Sequence, residues 1–267
     1  MPAIPLAALV LAVVLGTSAA PAGAASEPPA RGRAFAGTEP AGERVVGNTS
    51  AYPARAVGTL DTVLRGEPVR CAAFLIDRNT VLTAAHCIHD GSGDTPDAWA
   101  TAATFDPGHD DGVTPYRTCA GTGGHAPFGW RTAADERVDY GVVHLDCGIG
   151  RRVGWFGLWL SGKGADLLGR EVRVRGYPAT LGSSQWRGGG RVTDLTPRLV
   201  FHNARTSGDA DGGPVYVSST ACGGPCAVAV QADEPHGGTG VHARATHGPR
   251  LTLGRFGQIL AWAAENG

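Results

Sequence analysis

The stretch VLTAAHC, from Val81 to Cys87, holds the side chain best suited to chemistry in this chain. An imidazole changes charge near neutral pH, so His86 can act as a general base or a general acid. Taken alone, a histidine beside a cysteine is more often a buried structural group. Here Cys71 heads a second apolar run, CAAFLI, and two cysteines that close a short loop beside the imidazole suggest a staple holding it in place. Asp139 opens an alternating run, DYGVVHL, where an aspartate is common in any β protein. CGGPC, from Cys222 to Cys226, has the look of metal or redox chemistry, but C-x-x-x-C spacing without a partner pair favours a tight structural loop.

The wording around these residues adds more. CAAFLIDRNTVLTAAHC resembles the histidine loop of chymotrypsin-like serine proteases, and DYGVVHL resembles the aspartate motif of the same family. NTSAYPARAVGTL (Asn48 to Leu60), IGRRVGWFGL (Ile149 to Leu158) and RGYPATLGSSQW (Arg175 to Trp186) are similar to the bacterial glutamyl-endopeptidase branch. The resemblance runs from about Arg44 to the terminal helix. It implies that Asp139 accepts the Nδ1 proton of His86 and so leaves Nε2 to act as base. It also implies a Cys71–Cys87 disulfide. Composition leaves the other pairings open. Cys222–Cys226 would close the CGGPC turn, which its glycines and proline make feasible, and Cys119–Cys147 then follows by elimination.

The nucleophile motif departs from the family. Where G-x-S-G-[GS]-P is expected, the chain reads TSGDADGGPVY from Thr206 to Tyr216, and counting back from Gly212-Gly213-Pro214 places Asp211 at the nucleophile position. Asp209 stands where the family has an oxyanion-hole glycine, so the oxyanion positions are Asp209 and Asp211, and Ala210 replaces the usual Asp or Asn. Ser207 is four residues early and would serve only if the loop were rebuilt. A carboxylate attacking an amide would have to form a mixed anhydride, which disfavours acyl transfer through Asp211. In the specificity pocket the resemblance places Thr206 and Gln231, the latter in place of a histidine, with His236 close by in sequence. A neutral amide can still donate to a carboxylate, but the charge-assisted part of that bond is lost. Asp139 on Nδ1 and Asp211 on Nε2 would raise the titration of His86 above its ordinary value of about 6.5. These residues offer fewer ligands than a catalytic zinc site uses, so neither metal nor cofactor is expected.

The elements that must position these residues are short and β-rich. ARAVGTL, CAAFLI, TVLTAA, YGVVHL, REVRVRGY, RLVFHN, GPVYV and CAVAVQA are punctuated by Gly, Pro, Asp and Asn. Helical period is confined to LGRFGQILAWAAEN, where Phe256, Ile259, Leu260 and Ala263 fall on one face. The pattern predicts an all-β fold with a C-terminal α-helix. The resemblance makes it two six-stranded antiparallel β-barrels with the active site between them: one barrel over about 44–150, the second over about 151–252, and the helix over about 253–265. Gly contributes 41 of 267 residues, about twice the usual share, which suits many tight turns.

Residues 1–25 read as a secretory signal peptide: an apolar run, PLAALVLAVVLG, precedes an A-x-A-type cleavage site at Ala22-Gly23-Ala24. Residues 26–43 are rich in Pro, Ala and Gly and read as a linker or propeptide. Export and six cysteines agree with disulfide bonding outside the cell. A net charge of −1 argues against nucleic acid or an anionic membrane as partner. The expected partner is a peptide or protein in the old cleft, held by a secreted monomer that has lost or strongly reduced peptidase activity. The alternative is an active endopeptidase, with cleavage after acidic residues one form of it.

Overall fold

The computed structural model describes residues 43–160, 164, 166–205, 210–232 and 246–265. The expected signal peptide and linker, and Thr206, Ser207, Asp209 and His236, lie outside the described residues. The first half carries β1 (Arg44–Val45), β2 (Val57–Leu64), β3 (Glu67–Leu75), β4 (Thr80–Thr83), β5 (Ala102–Pro107), β6 (Cys119–His125), helix α1 (Phe128–Ala133) and β7 (Gly141–Leu145). The second half carries α2 (Gly150–Val153), β8 (Gly157–Leu158), β9 (Glu171–Gly176), β10 (Trp186–Leu195), β11 (Leu199–His202), β12 (Pro214–Ser219), β13 (Gly224–Val230), β14 (Thr246–Pro249) and α3 (Leu253–Ala264).

Strands β2-β3-β4-β7-β6-β5 close a six-stranded barrel. The apolar runs CAAFL and GVVHL are buried along their whole length. Their inward side chains, with Leu60, Leu82 and Phe105, fill the barrel. Their outer faces are covered too, since β3 packs against β9 and β7 against α3. Strands buried on both faces read as continuous apolar runs rather than alternating ones.

The second half is one sheet in the order β14-β11-β10-β9-β12-β13-β8, with β1 paired to β10. An isolated bridge between Ala229 and Arg250 brings its ends together. Beside it the Leu251 N–H donates to the Val228 carbonyl at 2.8 Å. Six strands therefore form a ring, closed through that single bridge rather than a full ladder. The β1 pairing corrects one expectation: Arg44 and Val45 belong to the second sheet, not the first barrel. Between the halves, Phe156 packs edge-on against Phe74 at 5.4 Å and against Tyr216 at 5.3 Å. Edge-to-face contact of this kind suits the ring quadrupoles and adds to the apolar area buried.

Helix α3 forms where expected, but its buried stripe is shifted. Ile259 and Ala263 are buried, Leu260 is 46% exposed, and Arg255 is buried instead. Arg255 is tolerated there because its guanidinium donates to the Arg198 and Arg250 carbonyls, both at 2.7 Å, and to that of Arg137. It also lies over the Tyr140 ring at 5.3 Å. Its neighbours offer carbonyl dipoles and a π face rather than hydrocarbon, so periodicity alone could not place it.

Candidate functional site

The site forms where the end of β4 meets the turn before β12. After β4 the chain enters a short 3-10 turn, Ala85–Cys87, which carries His86. The Cys71–Cys87 disulfide ties that turn to β3, with Cα atoms 6.1 Å apart. The Thr62 hydroxyl donates to the Cys87 carbonyl at 2.7 Å, which fixes the loop from β2 as well. Disulfides also join Cys119 to Cys147 and Cys222 to Cys226.

Asp139 lies just before β7 and is 4% exposed. One carboxylate oxygen accepts from the His86 backbone N–H at 2.9 Å, and the other lies 2.7 Å from Nδ1. A carboxylate gripping both the backbone and the ring sets the plane of the imidazole. It also places the Nδ1 proton, leaving Nε2 to face outward. Trp130 of α1 packs beside the ring, centroids 6.2 Å apart, and its indole N–H donates to the His89 carbonyl at 2.8 Å.

The group that meets Nε2 is Asp211, whose Oδ2 lies 3.6 Å away; its side chain is 9% exposed against 32% for His86. The turn that carries it is fixed from three sides. The Ala72 N–H donates to the Asp211 carbonyl at 2.8 Å, the Gly212 N–H donates to the Gln231 carbonyl at 2.7 Å, and the Gln231 N–H donates to the Gly213 carbonyl at 2.8 Å. Gly212 has φ of +83°, and a Cβ there would lie 2.0 Å from the Ala72 carbonyl oxygen. Only glycine takes that conformation at that approach. The dipeptide after Asp211 thus exists to let the turn touch the first barrel.

Of the residues proposed from sequence, the fold brings together His86, Asp139 and Asp211, with Gln231 on the strand that braces the turn. Thr206, Asp209, Ser207 and His236 fall outside the described residues. Sequence reasoning missed Trp130, which lies in a helix of six residues, too short to show a period. It also missed His202, read only as part of a strand, whose Nε2 lies 3.1 Å from Gln231 Oε1.

With this geometry in view, comparison with known proteins defines the class. The trypsin-like peptidase domain matches residues 71–222, which include His86, Asp139 and Asp211, and the chain belongs to that family. It is 32% identical over 221 residues to a glutamyl endopeptidase of Bacillus licheniformis, covering 81% of this chain and 66% of that protein. It is 28% identical over 224 residues to an extracellular metalloprotease of Bacillus subtilis, covering 82% and 67%. The chain therefore spans about two thirds of the length of these relatives. In fold it is similar to a Glu endopeptidase (TM-score 0.69, 21% identity, 84% of this chain and 97% of that one). The protease Anisep of Arthrobacter nicotinovorans is likewise similar (TM-score 0.67, 20% identity, 84% and 100%).

Chemically, the arrangement is a base oriented for proton abstraction and faced by an acceptor. An ionised carboxylate has no proton to give and four lone-pair sites to offer. The imidazole between Asp139 and Asp211 is set up as a charge pair.

Proposed function

We propose that this chain is a secreted, monomeric trypsin-fold protein that has lost or strongly reduced its peptidase activity and holds a peptide or protein segment in the former cleft. The observation that carries this is the 3.6 Å approach of Asp211 Oδ2 to His86 Nε2. Acyl transfer needs a hydroxyl or thiol whose proton the imidazole takes as attack begins. Asp211 supplies neither. Asp209, at the sequence position of the oxyanion-hole glycine, would oppose a developing negative charge as well. Both changes act on catalysis and leave the cleft to bind.

A second reading, an active endopeptidase, is favoured by the retained pair of Asp139 and His86 at 2.7 Å and by relatives named as peptidases. It needs another nucleophile, and Ser207 is the candidate. Incubation of the purified protein with a serine-directed phosphonate, followed by peptide mapping, separates the two. We expect no adduct on any serine, and stoichiometric labelling of Ser207 would establish the second reading.

A further inference from the structure

His202, at the end of β11, and Gln231, directly after β13, form a buried polar pair, exposed by 2% and 1%. His202 Nε2 lies 3.1 Å from Gln231 Oε1, while His202 Nδ1 is enclosed and meets no hydrogen-bond partner. A neutral imidazole has one N–H and one bare lone pair. A proton on Nδ1 would bury an unsatisfied donor, at a cost of about 1–3 kcal/mol. The proton therefore sits on Nε2 and is donated to Oε1. That in turn fixes the carboxamide, with its oxygen toward His202 and its NH2 on the opposite edge. The NH2 meets no acceptor among the described residues and, unlike His202 Nδ1, is not sealed from solvent. Burial pushes the His202 pKa down to about 4, and the proximity of His247 on β14 adds to that, so the pair is uncharged at neutral pH. Through its backbone, Gln231 bonds to Gly212 and Gly213, the two residues after Asp211.

We propose that His202 and Gln231 make the cleft selective for a peptide that presents glutamine rather than glutamate, with Gln231 as the contacting donor and His202 as its positioning residue. The inference rests on the reading of the cleft as a peptide site. Either side chain can accept the Gln231 N–H bond. Glutamate must also shed the water around a full charge, gains no cation from this pair, and approaches the Asp211 carboxylate. Glutamine brings a dipole that the fixed carboxamide complements without those costs.

The test is fluorescence anisotropy on the full chain with labelled hexapeptides identical except for one central residue: Gln, Glu or Leu. The Gln peptide is expected to bind at least about tenfold tighter than its Glu twin. Gln231→Leu should abolish that preference while keeping affinity for the Leu peptide. His202→Asn, which keeps a donor toward Gln231, should retain the preference, and His202→Phe should lose it. Should His202→Phe fail to fold, Gln231→Leu decides. Equal or tighter binding of the Glu peptide, or a preference that survives Gln231→Leu, overturns the selectivity and leaves peptide binding standing. No binding of any of the three overturns both.

Discussion

His86 and Asp211 approach each other across the two halves of the molecule, Nε2 to Oδ2, at 3.6 Å. On the other side of the ring Asp139 lies 2.7 Å from Nδ1. One imidazole is thus flanked by two carboxylates, one from each half, and both favour its charged form. A base that already carries its proton has no lone pair left for a nucleophile.

Removing the second carboxylate should show in the ring itself. In Asp211→Ser, the His86 titration followed by NMR is expected to fall below that of the wild type, because one of the two charges stabilising the imidazolium is gone. Equal midpoints would mean that Asp211 does not face the ring in solution.

The staple beside His86 also has a measurable weight. Replacing Cys71 and Cys87 together by alanine opens a loop with a sequence separation of 16, for which chain entropy gives a loss of about 3 kcal/mol. Equilibrium denaturation of the double variant against wild type reads this directly. A loss below about 1 kcal/mol would mean that hydrogen bonds such as Thr62 to Cys87 already hold the loop.

Gly212 tests the turn. Gly212→Ala forces a side chain into φ of +83° and within 2.0 Å of the Ala72 carbonyl oxygen, so the turn must move or the molecule lose stability. A destabilisation of roughly 3 kcal/mol or more is expected, read from the shift in denaturation midpoint. A neutral substitution would contradict the tight apposition of the two halves.

His202 gives a pH dependence with a definite sign. Its folded pKa, about 4, lies below its unfolded value, given as 6.5, so the unfolded state binds the extra proton between those values. The contribution is fully present above about pH 6.5 and is lost as pH falls toward about 4, up to about 3 kcal/mol in all. Other groups share this direction, among them His144, lowered first by burial, and Asp135, lowered first by its bond from Arg137. The comparison is therefore with His202→Asn, which should lose less stability than wild type over that pH range in parallel denaturation curves.

Much of this site was legible in the sequence because its residues lie in runs with strong local signals. VLTAAHC and DYGVVHL sit on strands buried on both faces, so apolar run and motif coincide. Three of the longer strands escaped notice. CAGTGGH and WRGGGRVTDL are glycine-rich, and AATFDP carries one large apolar residue. Gly188 and Gly190 in β10 show why: a Cβ at either would collide with the backbone of Arg205 or Ala204. Those glycines serve close approach, which composition reads as turn. The stripe of α3 misled because Arg255 is buried through carbonyls from three distant segments, information no local window contains.

Hydrolysis by the unmodified protein tests the central claim most directly. Steady-state assays on casein and on Glu-containing and Gln-containing peptides should show no turnover above background. Asp211→Ser with Asp209→Gly and Ala210→Asn, which together restore the nucleophile and the oxyanion turn, should give measurable cleavage that a serine-directed inhibitor blocks. Turnover by the wild type, blocked by that inhibitor and lost in Ser207→Ala, would contradict the account.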